Sequence, residues 1–326
     1  MHRIMMALIA VLVLSVAPLS EVTAQTQGKK IAHLTAAGTD PFIQALAKFM
    51  TERAKAFGME VTTFTSPFDA ALQAQQIDDA IARKFDLLAI LSVSEQAVIP
   101  ALTRAKQAGI PVLLVNSPPR PGTEDLYVSF IGEDHVELGR ITGESVLNAL
   151  KESGRDGGKV ALITGSMHEG VAPRRVTGFR EALKANPKAQ IVAQEDTRWD
   201  TAASEKVAGQ LYARFAAQGG LDVLYAMADH MAHATIQAAE AAGIPLGVGP
   251  GKLTVISSNC NRAGIANIKA GKQYSTGTQS PTRTGNRSAE LIADYFSGKQ
   301  LPKFVYLPVE TITKANLEKW EAPCTY

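Results

Sequence analysis

Cysteine is almost missing from this chain: only Cys260 and Cys324 occur. Neither stands at a helix start that would lower a thiol pKa and mark a nucleophile. Surplus charge is missing too, with 33 Lys and Arg set against 31 Asp and Glu. That balance gives no electrostatic ground for binding nucleic acid or an anionic membrane surface. Past Val16, no segment approaches the roughly 18 uninterrupted apolar residues that a membrane span requires, so no membrane insertion is expected. No low-complexity tract or long linker divides the chain.

Enzyme motifs are equally scarce. In LGVGPGKL the residue five before Gly251 is Leu246, and Leu253 follows Lys252 where a phosphate loop needs Ser or Thr. The same glycines precede an apolar run instead of following one, so a hairpin-like turn is the better reading. His168-Glu169 begins a zinc-protease pattern, but Ala172 stands where the second histidine belongs. Asp229, His230 and His233 share a helix face as a metal site would, yet a helix-capping aspartate with two ordinary histidines explains them equally. No G-x-S-x-G elbow occurs. We therefore expect no catalytic residues, no cofactor and no metal.

What is present begins with MHRIMMALIAVLVLSVAPLSEVTAQ, a short basic start, an apolar segment and small residues at Val22-Thr23-Ala24. This pattern predicts a secretory signal peptide over residues 1–24, cut near Ala24, and an exported mature chain. Neither cysteine falls in that segment, so none is available there for lipid attachment. In an oxidising compartment, one Cys260–Cys324 disulfide is the leading reading, against two unrelated thiols. It would staple the carboxyl-terminal tail beside Asn259, a tail expected to have little apolar surface of its own.

Apolar, β-branched runs alternate with helix-period segments. KIAHLTA leads into a helix from Pro41, VTTFTS into one from Ala70, LLAILSV into one from Glu95, and PVLLVNS into a Pro-rich loop. The order restarts with YVSFIG, KVALITG, QIVAQED, DVLYAMA and LTVISSN, each followed by a helix. Continuous apolar strands belong to sheets covered on both faces, so the fold class is α/β with doubly wound parallel sheets. The length favours two domains.

In such sheets, ligands bind beyond the carboxyl ends of the strands. The residues there include Asp40 and Phe42, Ser92, Asn116-Ser117, Trp199, Asp229, Asn259 and Gln279. Hydrogen-bonding side chains joined by flat aromatic faces suit a polyhydroxylated ligand. In TDPF, Asp40 is a good N-cap and Pro41 suits the first helical position, which leaves Phe42 without a structural reason.

GTDPFIQAL, AGIPVLLVNS, APRRVTGFREAL, DVLYAMADHMAHATIQAAEAAGI and RAGIANIKAGKQYSTGTQSP occur in an order that resembles the ribose/galactose class of periplasmic sugar-binding proteins, which feed ABC transporters. The resemblance runs from about Lys30 to Thr313. It implies two lobes joined by three hinge crossings, with the ligand trapped in the cleft between them by hinge closure. The N-terminal lobe would take residues 29–133 plus 280–308, and the C-terminal lobe 134–279 plus 309–326. The resemblance also implies ligand contacts at Asp40, Phe42, Ser92, Asn116, Ser117, Arg175, Trp199, Asp229, Asn259 and Gln279, with Ile43 where a second ring is usual.

The departures from that class bear on the ligand. Its Asp-Arg after the fourth strand is Asn116-Ser117 here, the Asn before the capping aspartate is Ala228, and the aspartate after the ninth strand is Asn259. Losing that charged pair argues against ribose or galactose itself. The expected ligand is a small neutral sugar or sugar-like polyol; a sugar acid would need Arg174 and His168 to face the cleft. The expected partner is an ABC transporter permease, with the protein a monomer in the periplasm. The alternatives are a receptor presenting a sugar-derived signal to a membrane sensor or chemoreceptor, and an exported carbohydrate-acting enzyme using Asp40 and Asp229.

Overall fold

The computed structural model describes residues 25–36 and 38–326, so the leader expected at 1–24 lies outside the described residues. The unbroken apolar runs become strands buried at every position, as in β3 (Leu87–Ile90), β4 (Val112–Val115) and β8 (Val223–Ala226). With β1 (Lys30–Thr35), β2 (Glu60–Thr65), β5 (Ser129–Glu133) and β11 (Phe304–Leu307), β3 and β4 form one six-stranded parallel sheet in the order β11-β5-β4-β3-β1-β2. The second six-stranded sheet runs β12-β10-β9-β8-β6-β7, adding β6 (Gly158–Thr164), β7 (Ala189–Asp196), β9 (Thr254–Ser258), β10 (Ser275–Gly277) and β12 (Thr311–Thr313).

Each sheet is covered on both faces. In the first lobe Ile31 packs with α1 (Pro41–Ala56) and α9 (Pro281–Phe296), while its neighbours Ala32 and Leu34 pack with α2 (Ala70–Ala82) and α3 (Ile99–Gln107). In the second lobe, α4 (His135–Glu152) and α5 (Val171–Leu183) cover one face, and α6 (Thr201–Ala216) and α7 (Asp229–Ala241) the other. The α/β two-lobed class read from the sequence is the one observed. Two details differ. The helix expected from Glu95 begins at Ile99, because Pro100 lacks an N–H and is tolerated only in a first turn. Strand β12 runs antiparallel to β10, since it arrives from the other sheet without a crossover helix.

The chain passes between the sheets three times: after β5, after β10, and between β11 and β12. Parallel strands put all their carboxyl ends on one edge, and the first two crossings leave from such ends, so these edges face each other. Two crossings are tied together: Thr278 N donates to Glu310 O at 2.8 Å, and Glu310 N to Thr278 Oγ1 at 2.7 Å.

Cys260 and Cys324 form a disulfide. The tail it holds is more apolar than expected. Leu317 and Trp320 of the short α10 (Leu317–Glu321) are buried against Ile312 and against Ile265 and Ile268 of α8 (Arg262–Lys269). Among the described residues no helix is long and apolar enough to cross a membrane.

Candidate functional site: a cleft between the two lobes

Asp40 caps α1 as its residue type suggests, accepting from Phe42 N at 2.8 Å and Ile43 N at 3.1 Å through Oδ1. That turn aims Phe42 and Ile43 into a cavity between the lobes. The first lobe lines it with Ala36, Asp40, Phe42, Ile43, Phe68, Leu91 and Asn116, and the second with Glu169, Val171, Arg175, Trp199 and Asn259, with Gln279 on a crossing.

Arg175 is fully buried, and its place follows from glycines. A Cβ on Gly139 of α4 would meet the Arg175 carbonyl, and one on Gly178 of α5 would meet the Val136 carbonyl. The two helices therefore touch backbone to backbone, which brings Arg175 beside the first crossing. Its Nη1 donates to Met227 O at 2.8 Å and Asn259 Oδ1 at 3.3 Å, Nη2 donates to Gln279 Oε1, and Nε faces His135 Nδ1 at 3.4 Å. Burial lowers the pKa of Arg175, with Tyr225, Glu133 and Glu169 offsetting that cost.

A closed ring spans the lobes. Asn116 O accepts from His135 Nε2 at 2.9 Å, His135 meets Arg175, Arg175 meets Gln279, and Gln279 Nε2 donates to Asn116 Oδ1 at 2.6 Å. Burial, then the Arg175 charge, holds the His135 pKa well below its usual value. The imidazole is therefore neutral, one nitrogen donating to Asn116 and the other accepting from Arg175.

Trp199 takes a left-handed backbone, φ 65°. Its indole lies over Gly165, where a Cβ would collide with the ring. Trp199 Nε1 donates to Glu169 Oε1 at 2.6 Å, and the Arg175 guanidinium sits 5.4 Å from the indole centroid. Burial pushes the Glu169 carboxyl up to about 8; Trp199 and Arg175 oppose this, while Asp40 and Asp196 add to it. Glu133, buried where the chain leaves β5, is pushed up to about 7 by the same cause.

Of the residues singled out from the sequence, Asp40, Phe42, Asn116, Arg175, Trp199, Asn259 and Gln279 gather around this cavity. Ser92, Ser117 and Asp229 do not line it. Ser92 Oγ donates to Ser94 O at 2.8 Å, and Ser117 is buried with its hydroxyl unpartnered among the described residues. Asp229 points away. Its carboxylate accepts from Ser257 Oγ, from Asn261 N at 2.7 Å and from Gln273 Nε2 at 3.1 Å, and Gly264 leaves room for it. Those bonds pin the start of α7 to β9 and to the turn before α8. His230 Nε2 meets Trp199 O, and His233 meets Asn267, so the two histidines serve separate contacts. Among the described residues no three His, Cys, Asp or Glu side chains are placed to hold a metal ion. Arg174 turns to Glu95 and His168 is exposed, so neither lines the cavity.

Sequence reasoning missed Glu169 and Phe68. Phe68 was within reach, because Ser66-Pro67-Phe68-Asp69 follows β2 as Thr39-Asp40-Pro41-Phe42 follows β1, and Asp69 caps α2 in the same way. Glu169 had no such signal, a glutamate in a surface-like Met-His-Glu-Gly segment.

Comparison with known proteins agrees with this architecture. A family model for the periplasmic binding protein domain matches residues 31–300. The chain belongs to that family. It is similar to the ribose import binding protein of Bacillus subtilis, 25% identical over 84% of each chain. The D-allose-binding periplasmic protein of Escherichia coli is 26% identical over 81% of this chain and 84% of its own. An ABC transporter solute binding protein from Mycobacterium smegmatis, solved with glycerol bound, superposes with a TM-score of 0.80 at 26% identity, covering 90% of this chain and 96% of that one. These relatives are binding and transport proteins, not enzymes.

Proposed function

We propose that this protein is an exported receptor that captures a small sugar or polyol between its lobes and delivers it to an ABC-type permease. One observation carries the reading: a cavity is lined from both lobes and bordered by Asn116, Arg175 and Gln279 of the hydrogen-bonded ring that spans them, so a bound ligand would hold the lobes together. Phe42 and Trp199 supply flat faces for the C–H side of the ligand. Asn116 and Asn259 supply side-chain N–H donors for its oxygens. The lobes are residues 29–133 plus 280–308 and 134–279 plus 309–326, and the three crossings are the hinge. The ribose, allose and glycerol named for the relatives support a sugar or polyol as the class of ligand. A sugar acid is disfavoured, because Asp40 faces the cavity and Arg174 is engaged elsewhere.

A thermal-shift screen over pentoses, hexoses, polyols and sugar acids tests the reading, since a ligand that binds only the folded state raises Tm. A saturating rise with a sugar or polyol supports it; a response to sugar acids alone opposes it. Export is read separately by mass spectrometry of the secreted chain. An N-terminus at or near Gln25 agrees with cleavage after Ala24, and a retained Met1 does not.

A further inference from the structure

The polar atoms facing the cavity are not evenly supplied. Arg175 spends its donors on Met227, Asn259 and Gln279, and its Nε faces His135. Among the described residues Glu169, only 5% exposed, accepts from Trp199 alone and through Oε1 alone. Asp40 commits Oδ1 to the start of α1. Among the described residues, Glu169 Oε2 and Asp40 Oδ2 are thus left without a partner on carboxyl groups that line the cavity. Asn116 and Asn259, whose oxygens are already engaged, have side-chain N–H groups to offer. The lining therefore combines an acidic pair, Glu169 and Asp40, with a neutral amide pair, Asn116 and Asn259.

We infer that the ligand carries a protonated amino group on its polyhydroxylated frame, with the amino group held by Glu169 and Asp40 and the hydroxyls by the amide pair. This rests on the sugar-or-polyol reading above. An ammonium group brings several donors and a positive charge, so it can serve both carboxylates at once, whereas a hydroxyl brings one donor and no charge. The charges facing Glu169 are Arg175 on α5, Asp40 before α1 and Asp196 at the end of β7. With burial holding the Glu169 carboxyl up at about 8, the empty site keeps that group protonated at pH 7. Uptake of an ammonium ion then sends the Glu169 proton to solvent, and uptake of a neutral polyol does not.

The experiment is calorimetry at pH 7, in two buffers of different ionisation enthalpy. The probes are D-glucosamine, D-galactosamine, 1-amino-1-deoxy-D-sorbitol and an aminodeoxyinositol, each beside its hydroxyl counterpart. The expected result is at least one amino compound binding about tenfold or more tightly than its counterpart, with proton release. Glu169→Gln, which keeps an acceptor for Trp199, is expected to abolish both the preference and the release. Hydroxyl compounds binding as well as the amino ones would overturn the inference and leave the receptor reading standing. So would a preference that survives both Glu169→Gln and Asp40→Asn. Silence from the whole panel, and from ribose, arabinose, allose and glycerol, would overturn both.

Discussion

A fully buried arginine is tolerable only while its partners stay in place, and those partners of Arg175 also shape the cleft. Arg175→Ala strands acceptors on Met227, Asn259 and Gln279, so ligand binding is expected to weaken by roughly 2–5 kcal/mol. Trp199→Ala removes apolar contact and the Glu169 donor, with an expected loss of about 1–3 kcal/mol. Titration of each variant against the ligand found by screening checks the order. The buried acids also set a pH dependence. Glu133 and Glu169 are raised by burial to about 7 and about 8, so they hold protons that the unfolded chain has already lost, and stability falls as pH rises towards those values. His33, lowered by burial to about 4, and His135, lowered well below its usual value, act in the opposite sense, losing stability as pH falls below about 6.5. Between about pH 6.5 and 8 the two glutamates act without that opposition, so the Tm of the ligand-free protein is expected to drop across this window. Glu169→Gln should flatten the drop, and an unchanged slope would remove Glu169 as its source.

Elements fix what residues alone leave open. Helices α4 and α5 meet through Gly139 and Gly178, with no room for a side chain at either contact. Gly178→Val is expected to cost about 1–3 kcal/mol or more in stability by overpacking. Gly139→Ala presses on the Arg175 backbone and should weaken ligand binding as well, which paired denaturation and titration would separate from simple destabilisation. The disulfide closes a loop with a sequence separation of 64, worth about 4 kcal/mol in the chain-entropy model. Reduction should lower Tm, but Leu317 and Trp320 anchor the tail independently, so protease protection near residue 317 should survive it in part. At this scale the limits of the sequence become physical. Asp40, Asn116, Trp199, Asn259 and Gln279 were legible because carboxyl-end residues of parallel strands must face the cleft, whereas Arg175, inside α5, was legible only through the family resemblance. Asp229 obeys the same rule in position, but its side chain answers to Ser257, Asn261 and Gln273, partners supplied by distant segments. Glu169 was illegible because nothing local distinguishes a glutamate that will be buried under Trp199 from one left in water.

At the scale of the whole molecule, the lobes are also joined outside the cavity. Arg174 Nη1 reaches Glu95 Oε2 at 2.7 Å, and Nη2 reaches Pro119 O at 3.2 Å, both in the first lobe. The pair is partly exposed, so Glu95→Ala is expected to speed ligand dissociation only about two- to fivefold, an effect that salt should mimic. Stopped-flow dissociation at two ionic strengths measures both. Scattering with saturating ligand should give a smaller radius of gyration than without, as hinge closure requires. The order of the chain through the sheets has one more outcome. The first lobe's core includes Ala289, Leu291, Ile292 and Ala293 from α9, and its sheet gains β11 only at Phe304–Leu307. An emerging chain that already contains all of β1 to β5 therefore cannot complete that core until almost the whole protein has been synthesised. For the exported chain proposed above, this late closure would favour a transportable state through most of its synthesis.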